Sequence, residues 1–250
     1  MPKRVLITGD DGYNSVGIRA LVELLKDNYS VSVAATLEQQ SGMGGKLSLS
    51  KEITWGEDIV EGAPALWVDG SPADAMEISQ GFFDKPFDFI ISGINYGENL
   101  SYALVSSGTF SAAIRGIGTK LAPRAIVMSW QTTSDNFLKK HEITHDLTEF
   151  LKYPGKEAVK IIDLIIKNNF YGKEIVNVNF PMESCNKYKI AKVSKDITKL
   201  WNYPLIIDKS KHIAKHSDAA YSKNLEKDPN VDIGALHNGF ITISPIDYLK

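Results

Sequence analysis

The sequence contains a single cysteine, Cys185, among its 250 residues. One cysteine allows no disulfide bond within the chain, and it excludes the cysteine-rich clusters that hold structural zinc. Such sparing use of cysteine is typical of a reducing compartment, so we expect a cytoplasmic protein.

The sequence also lacks long hydrophobic runs. No apolar stretch approaches the roughly 18 residues expected of a membrane-spanning helix. The opening MPKRVLIT has an apolar stretch too short for the core of a secretory signal peptide. We therefore expect no membrane partner.

The sequence has no large excess of either charge, because it contains 28 basic and 30 acidic residues and its net charge is −2. A chain with this balance carries no broad basic surface for nucleic acid or for an anionic membrane. A small anionic ligand remains a plausible partner, since local geometry can bind one without a basic surface.

Strand and helix signals alternate along the chain. The apolar run Arg4–Thr8 precedes residues spaced as one helix face, and SVSVAA at positions 30–35 predicts the next strand. This order predicts an α/β fold, a Rossmann-like, doubly wound, mostly parallel sheet. Alternating apolar residues also predict a small strand over positions 47–55. We expect residues 1–185 to form the core, and residues 186–250 to form an antiparallel C-terminal arm that returns to the core within one domain.

Oxygen-bearing side chains follow several of these strands, at the sheet edge where such folds bind ligands. The set consists of Asp10, Asp11, Ser41 and Asn95. Two carboxylates about 4 Å apart repel by about 4 kcal/mol at an effective dielectric near 20, so a proton or a cation must lie between them. Carboxylate, amide and hydroxyl oxygens suit Mg²⁺ or Mn²⁺. The alternative is a plain polar turn in which Gly12 supplies a positive φ.

The segment SSGTFSAAIRG predicts a helix whose first residues are Ser107, Gly108 and Thr109. Small residues at a helix start leave backbone N–H groups accessible, and these bind phosphate together with the helix dipole. A cation on one side and this helix start on the other would suit phosphomonoester hydrolysis. The alternative is an ordinary helix N-cap.

The segment HEITH, His141–His145, matches the H-E-x-x-H pattern of zinc peptidases. That function needs both histidines on one helix face and a third ligand, and the following turns are interrupted by Pro154. A surface segment is the competing interpretation.

Taken together, these segments resemble the SurE family, the stationary-phase survival nucleotidases. The resemblance runs in order along most of the chain, through VLITGDDGYNSVGIRAL, QSG, GSPADAM, SGINYGENL, SSGTFSAAIRG, VNVNFP and VDIGALHNGFITISPI. It implies metal-dependent hydrolysis of nucleoside 5′- and 3′-monophosphates, with short polyphosphate as a further substrate of some members. It also implies a homodimer or homotetramer that exchanges the C-terminal arm.

The resemblance implies roles for particular residues. One divalent ion per subunit would be held by Asp10, Asp11, Ser41 and Asn95. Phosphate contacts would come from Asn99, Ser107, Gly108 and Thr109. Either Asp10 or Asp11 would act as the base that assists the attacking water.

The chain departs from the family pattern beside these residues. The family usually has Asn at the position of Gly9, Pro-Asp at Thr36-Leu37 and a basic residue at Gln40. An acidic pair and a Tyr usually precede SGT, where this chain has Tyr102, Ala103 and Ser106. The alternative function is therefore a catalytically weakened relative that binds nucleotide or phosphate.

Overall fold

The computed structural model describes residues 2–84, 86–133, 141, 144–202, 205–216 and 221–247. The strands within these residues are β1 (Arg4–Thr8), β2 (Ser30–Thr36), β3 (Trp55–Val60), β4 (Ala63–Val68), β5 (Phe89–Tyr96), β6 (Ala125–Trp130), β7 (Ile175–Phe180), β8 (Tyr188–Ile190), β9 (Leu205–Asp208), β10 (Ile213–His216) and β11 (Ile241–Ile246). The main helices are α1 (Val16–Leu25), α2 (Pro72–Phe82), α3 (Gly108–Gly118), α4 (Lys156–Lys167) and α5 (Asp232–His237). Shorter helical segments include Ser101–Ser106 and Thr148–Phe150.

Nine of the described strands form one sheet in the order β3-β4-β2-β1-β5-β6-β7-β11-β8. The six strands from β4 to β7 are parallel to one another, which confirms the predicted α/β fold class. Strand β11 pairs antiparallel with β7, and β9 pairs antiparallel with β10 in a separate hairpin, as expected of the arm. Strand β8 differs from the prediction because it runs parallel to β11.

The predicted strand over positions 47–55 is wrong. Strand β3 begins only at Trp55 and pairs with β4 through Val60. Alternation of apolar residues makes a strand only where a neighbour supplies backbone partners. The Leu49 side chain is 88% exposed, so this part of the alternation packs on nothing in the subunit.

Helices cover both faces of the sheet. Helices α1 and α4 pack on one face, where the apolar face predicted for α1 is buried. Helices α2 and α3 pack on the other face. Helix α2 begins with Ser71 as N-cap and Pro72 in the first turn, and Asp74 completes a capping box. No helix in the described part of the chain combines the length and the apolar character needed to cross a membrane.

Candidate metal and phosphate site

The ends of β1 and β5 meet at one edge of the sheet. Thr8 at the end of β1 is the register partner of Ser92 in β5, so the residues after them lie side by side. The backbone N–H of Tyr96 donates to Asp11 Oδ2 at 3.0 Å. The N–H of Gln40 donates to the backbone carbonyl of Asp10 at 2.6 Å, which brings the loop after β2 to the same place. The end of β5 and the loop after β2 therefore both contact the aspartate turn.

Asp10 lies against the start of helix α3 and is only 4% exposed. The Thr109 hydroxyl donates to Asp10 Oδ1. A Cβ placed on Gly108 would lie 2.6 Å from Asp10 Oδ2, which is far below van der Waals distance. Only glycine at position 108 therefore leaves room for this carboxyl group, a close approach that links residues almost one hundred positions apart.

Asp11 is also buried, with 5% of its surface exposed. It accepts from the Tyr96 N–H and, at 3.2 Å, from Gln39 Nε2. The turn that carries both aspartates continues into Gly12, whose φ of 96° is the positive value expected from the sequence. Because the turn is followed by the N-cap Ser15 of α1, the carboxylates are held between a strand and a helix start.

Electrostatics at this pair favour a shared positive charge. The pKa of Asp11 is raised to about 8, first by burial and second by the neighbouring charge of Asp10. Burial also raises the pKa of Asp10, against the opposing effect of hydrogen bonds from the Thr109 hydroxyl and from the Thr109 and Gly108 N–H groups. Two buried neighbouring carboxyl groups ionise together only at high free-energy cost, which a proton or a cation removes.

Asn95 is oriented by its own turn. Its Nδ2 donates to the carbonyls of Tyr96 at 3.1 Å and Gly97 at 2.7 Å. The amide nitrogen is thus engaged with backbone, and the oxygen Oδ1 is the atom left for a cation. Ser41 lies half-buried in the loop directly after Gln40. The predicted ligands offer two carboxylates, an amide oxygen and a hydroxyl, which are hard oxygen donors of the kind that suits Mg²⁺ or Mn²⁺. Their joint role as ligands stays a prediction.

The start of α3 is capped by Ser107, whose Oγ accepts from the Phe110 N–H at 3.1 Å. The hydroxyl proton of Ser107 is not used in this bond. The Thr109 hydroxyl proton goes to Asp10, and Asp10 also accepts from the Thr109 and Gly108 N–H groups, so a phosphate at this helix start would share these two N–H donors with Asp10. Phosphate binding by Ser107, Gly108 and Thr109 stays a prediction, in which the phosphate and Asp10 would share one helix start.

Asn99, the remaining predicted phosphate ligand, is buried and held at several points. Its Nδ2 donates to Ser129 Oγ at 2.8 Å, and its backbone is bonded by Asn177 and Asn179 of β7. These two asparagines were not predicted as part of the site. The signal was available in IVNVNF, since asparagine at alternate positions of a buried strand is uncommon and requires polar partners.

A cavity of about 390 Å³ opens beside Asp11. Its lining includes Asn14, Leu37, Gln39 and His141. Gln39 was not predicted either, because its only visible signal was its position two residues before the predicted ligand Ser41. The cavity places mixed polar and apolar groups next to the carboxylate pair.

The histidines of HEITH do not form a zinc helix in the described residues. His141 Nδ1 accepts from the Val16 N–H at 3.2 Å, and its ring lies 4.7 Å from that of Tyr96. Positions 141, 144 and 145 are not helical, and Glu142 lies outside the described residues. Among the residues described, no three His, Cys, Asp or Glu side chains converge as a metal site. The peptidase interpretation gains no support from this arrangement.

Comparison with known proteins gives consistent results. The model of the family described as Survival protein SurE matches residues 5–203. A protein of Methanopyrus kandleri named 5′-nucleotidase SurE is 40% identical over 182 residues, which cover 71% of this chain and 66% of that protein. A protein of the same name from Aliarcobacter butzleri is 30% identical over 259 residues, covering 98% and 92%. The crystal structure of the SurE protein from Aquifex aeolicus aligns over 98% of this chain and 93% of its own, with a TM-score of 0.73 and 25% identity.

Proposed function

The chain belongs to the SurE family, and from this membership and the geometry of its site we propose that it is a 5′-nucleotidase. The proposal is that it hydrolyses nucleoside 5′-monophosphates, and 3′-monophosphates as well, with one Mg²⁺ or Mn²⁺ per subunit. Short polyphosphate is a further proposed substrate. The observation that carries the proposal is the contact of the buried Asp10 and Asp11 pair with the end of β5 on one side and the start of α3 on the other.

In this proposal the cation is held by Asp10, Asp11, Asn95 Oδ1 and Ser41 Oγ. A divalent ion would neutralise the two carboxylates and polarise a phosphoryl oxygen. The raised pKa of both aspartates supports this role, because the pair is strained electrostatically when nothing positive lies between its members. One of the two carboxylates accepts the proton of the attacking water, as a general base does.

The start of α3 binds the phosphate. Backbone N–H groups of Gly108 and Thr109, which are shared with Asp10, and the hydroxyl of Ser107 stabilise the charge that builds on the phosphoryl oxygens. Asn99 contributes its amide, of which one hydrogen is already donated to Ser129. The cavity beside Asp11 accommodates the part of the substrate beyond the phosphate.

The second candidate is a relative that binds nucleotide or phosphate with little turnover, favoured by Gly9 and Ala103 in place of the usual residues. A panel of nucleoside 5′- and 3′-monophosphates separates the two, measured as phosphate release with Mg²⁺, with Mn²⁺ and with EDTA. The enzyme proposal expects turnover that EDTA abolishes. Binding of AMP and Mn²⁺ without phosphate release from any member of the panel would establish the weakened relative instead.

We also propose a homodimer or homotetramer formed through the arm, and a cytoplasmic location consistent with the single cysteine. The β9–β10 hairpin supports the first of these, since Ile206, Ile207 and Ile213 are each more than half exposed. Replacing Ile206 and Ile207 by serine should lower the mass measured by light scattering to that of a monomer. An unchanged mass would place the contact between subunits elsewhere.

A further inference from the structure

The loop between β5 and the start of α3 is hydrogen-bonded by two side-chain amides of β7. Asn179 Oδ1 accepts from the Asn99 N–H at 2.8 Å, and Asn179 Nδ2 donates to the Asn99 carbonyl at 3.0 Å. One side chain thereby pairs with both polar groups of one backbone residue, as a neighbouring strand would. The peptide on each side of Asn99 is consequently fixed in orientation.

Two further bonds complete the support of Asn99. Asn177 Nδ2 donates to the same Asn99 carbonyl at 2.9 Å. Asn99 Nδ2 donates to Ser129 Oγ at 2.8 Å, which directs the amide of the side chain. Asn177, Asn179 and Ser129 are completely buried. Buried amides are costly unless they are hydrogen-bonded, so these bonds are required for the loop to keep its place.

The supporting residues are aligned with the candidate site across three strands. Ser129 of β6 is the register partner of Asn95 in β5 and of Asn179 in β7. The next residues of the loop are held by the C-terminal region as well, because Asp232 accepts from the N–H groups of Ser101 at 2.8 Å and Ser194 at 2.9 Å. The loop that links Asn95 to Ser107 is therefore held in place by hydrogen bonds to residues far away in sequence.

Resting on the proposed function, we propose that Asn179, together with Ser129, is a positioning residue for phosphate binding. Asn179 sets the backbone of Asn99, and Ser129 sets its side-chain amide. Neither residue is assigned a contact with substrate. The bonds account for the two asparagines in a strand whose other residues are apolar and buried.

The variants Asn179→Ala and Ser129→Ala test this positioning role. The binding of inorganic phosphate in the presence of Mn²⁺ is measured by calorimetry, and KM and kcat are measured with AMP. One lost hydrogen bond worth about 1.4 kcal/mol corresponds to tenfold. We expect Asn179→Ala to weaken phosphate binding about tenfold or more and Ser129→Ala several-fold. Adding Asn99→Ala to Asn179→Ala should cost little more, because Asn99 is already misplaced.

Thr242→Val is the matched control. Thr242 is buried beside Asn179 as its register partner on β11, and its hydroxyl bonds to no group in the described residues. We expect its phosphate affinity to stay within twofold of wild type. Folded Asn179→Ala that binds phosphate like wild type would overturn the positioning role, and so would equal losses in Asn179→Ala and Thr242→Val. If Asn179→Ala does not fold, Ser129→Ala decides in the same way.

The proposed function is tested separately in the same experiment. Wild type that binds phosphate but hydrolyses no nucleoside monophosphate would refute the nucleotidase, and the positioning role would still be decided by the phosphate affinities of the variants. Wild type that binds no phosphate would overturn the positioning role, whereas turnover of nucleoside monophosphates alone decides the nucleotidase.

Discussion

Replacing Asp11 by asparagine separates two effects of the carboxylate pair: the loss of stability that its repulsion causes, and its proposed role in catalysis. The substitution keeps the size of the side chain and retains an oxygen that accepts from the Tyr96 N–H. It removes one of two buried neighbouring acids, whose burial and mutual repulsion raise the pKa of Asp11 to about 8. The metal-free variant should therefore be more stable than metal-free wild type, although it loses the proposed activity.

The magnitude follows from the difference between the folded and unfolded pKa. The unfolded value is 3.8 and the folded value is about 8. The folded state binds the Asp11 proton more tightly than the unfolded state does. Protonation of Asp11 therefore contributes its full stabilisation of the folded state below pH 4, and this contribution is lost as the pH rises toward 8. At about 1.4 kcal/mol per pH unit, the loss by pH 7 is on the order of 4 kcal/mol. Asparagine does not titrate and so does not suffer this loss.

The assay is urea unfolding in EDTA at pH 5 and pH 8. The control is Asp163→Asn, which removes one charge from an exposed position of α4. The stability of Asp11→Asn relative to wild type should increase between the two pH values, whereas that of Asp163→Asn should change little. Mn²⁺ should then stabilise wild type and not Asp11→Asn, since only a ligand bound by the folded state raises stability.

Two results would refute this reasoning. One is a metal-free stability difference between Asp11→Asn and wild type that does not grow with pH. The other is phosphate release by Asp11→Asn at the wild-type rate, because the expected loss is at least 100-fold for a residue that binds the cation and serves as a candidate base.

Three further predictions follow from close contacts around the site. Gly108→Ala should lower kcat/KM and Mn²⁺ affinity by at least about tenfold, since its Cβ would displace Asp10. The control is Gly118→Ala at the other end of α3, whose Cβ meets no atom within 4 Å and which should behave as wild type. Gly9→Asn should fold, because a Cβ at position 9 meets its nearest atom only at 3.5 Å. It should raise nucleotidase activity because it restores the usual family residue. Loss of folding would contradict this. His141→Ala should lower stability by about 1–2 kcal/mol through loss of its bond to the Val16 N–H, yet retain phosphate release, and complete inactivation would return the zinc peptidase to consideration.

Most of the fold could be predicted because its signals are local. The face of α1, the cap of α2 and the buried strand β7 are each encoded within about ten residues. The error over positions 47–55 has the opposite origin. Period-two alternation is a local pattern, but a strand also needs a neighbour, and β4 meets the chain only from Trp55 onward.

The candidate site could be predicted only in part. Asp10 and Asp11 were identifiable from their place after β1, and Asn95 from its place near the end of β5. The donors to Asp11 were not, because the Tyr96 N–H is a backbone group 85 residues away and Gln39 carries no pattern of its own. The commitment of the Thr109 hydroxyl to Asp10 was likewise hidden, since it joins residues that meet only when α3 packs on the sheet.

Local periodicity and turn chemistry in the amino-acid sequence determined the alternation of strands and helices, the acidic turn after β1 and the small-residue start of α3. Packing of the folded chain alone decided that this helix start presses on Asp10, that the two carboxyl groups are both buried, and that Asn99 is carried by asparagines 78 and 80 positions further on. The physical reason is that burial, pKa and hydrogen-bond partnership depend on which surfaces come within a few ångströms. That proximity is a property of the assembled sheet and helices, and no short segment contains it.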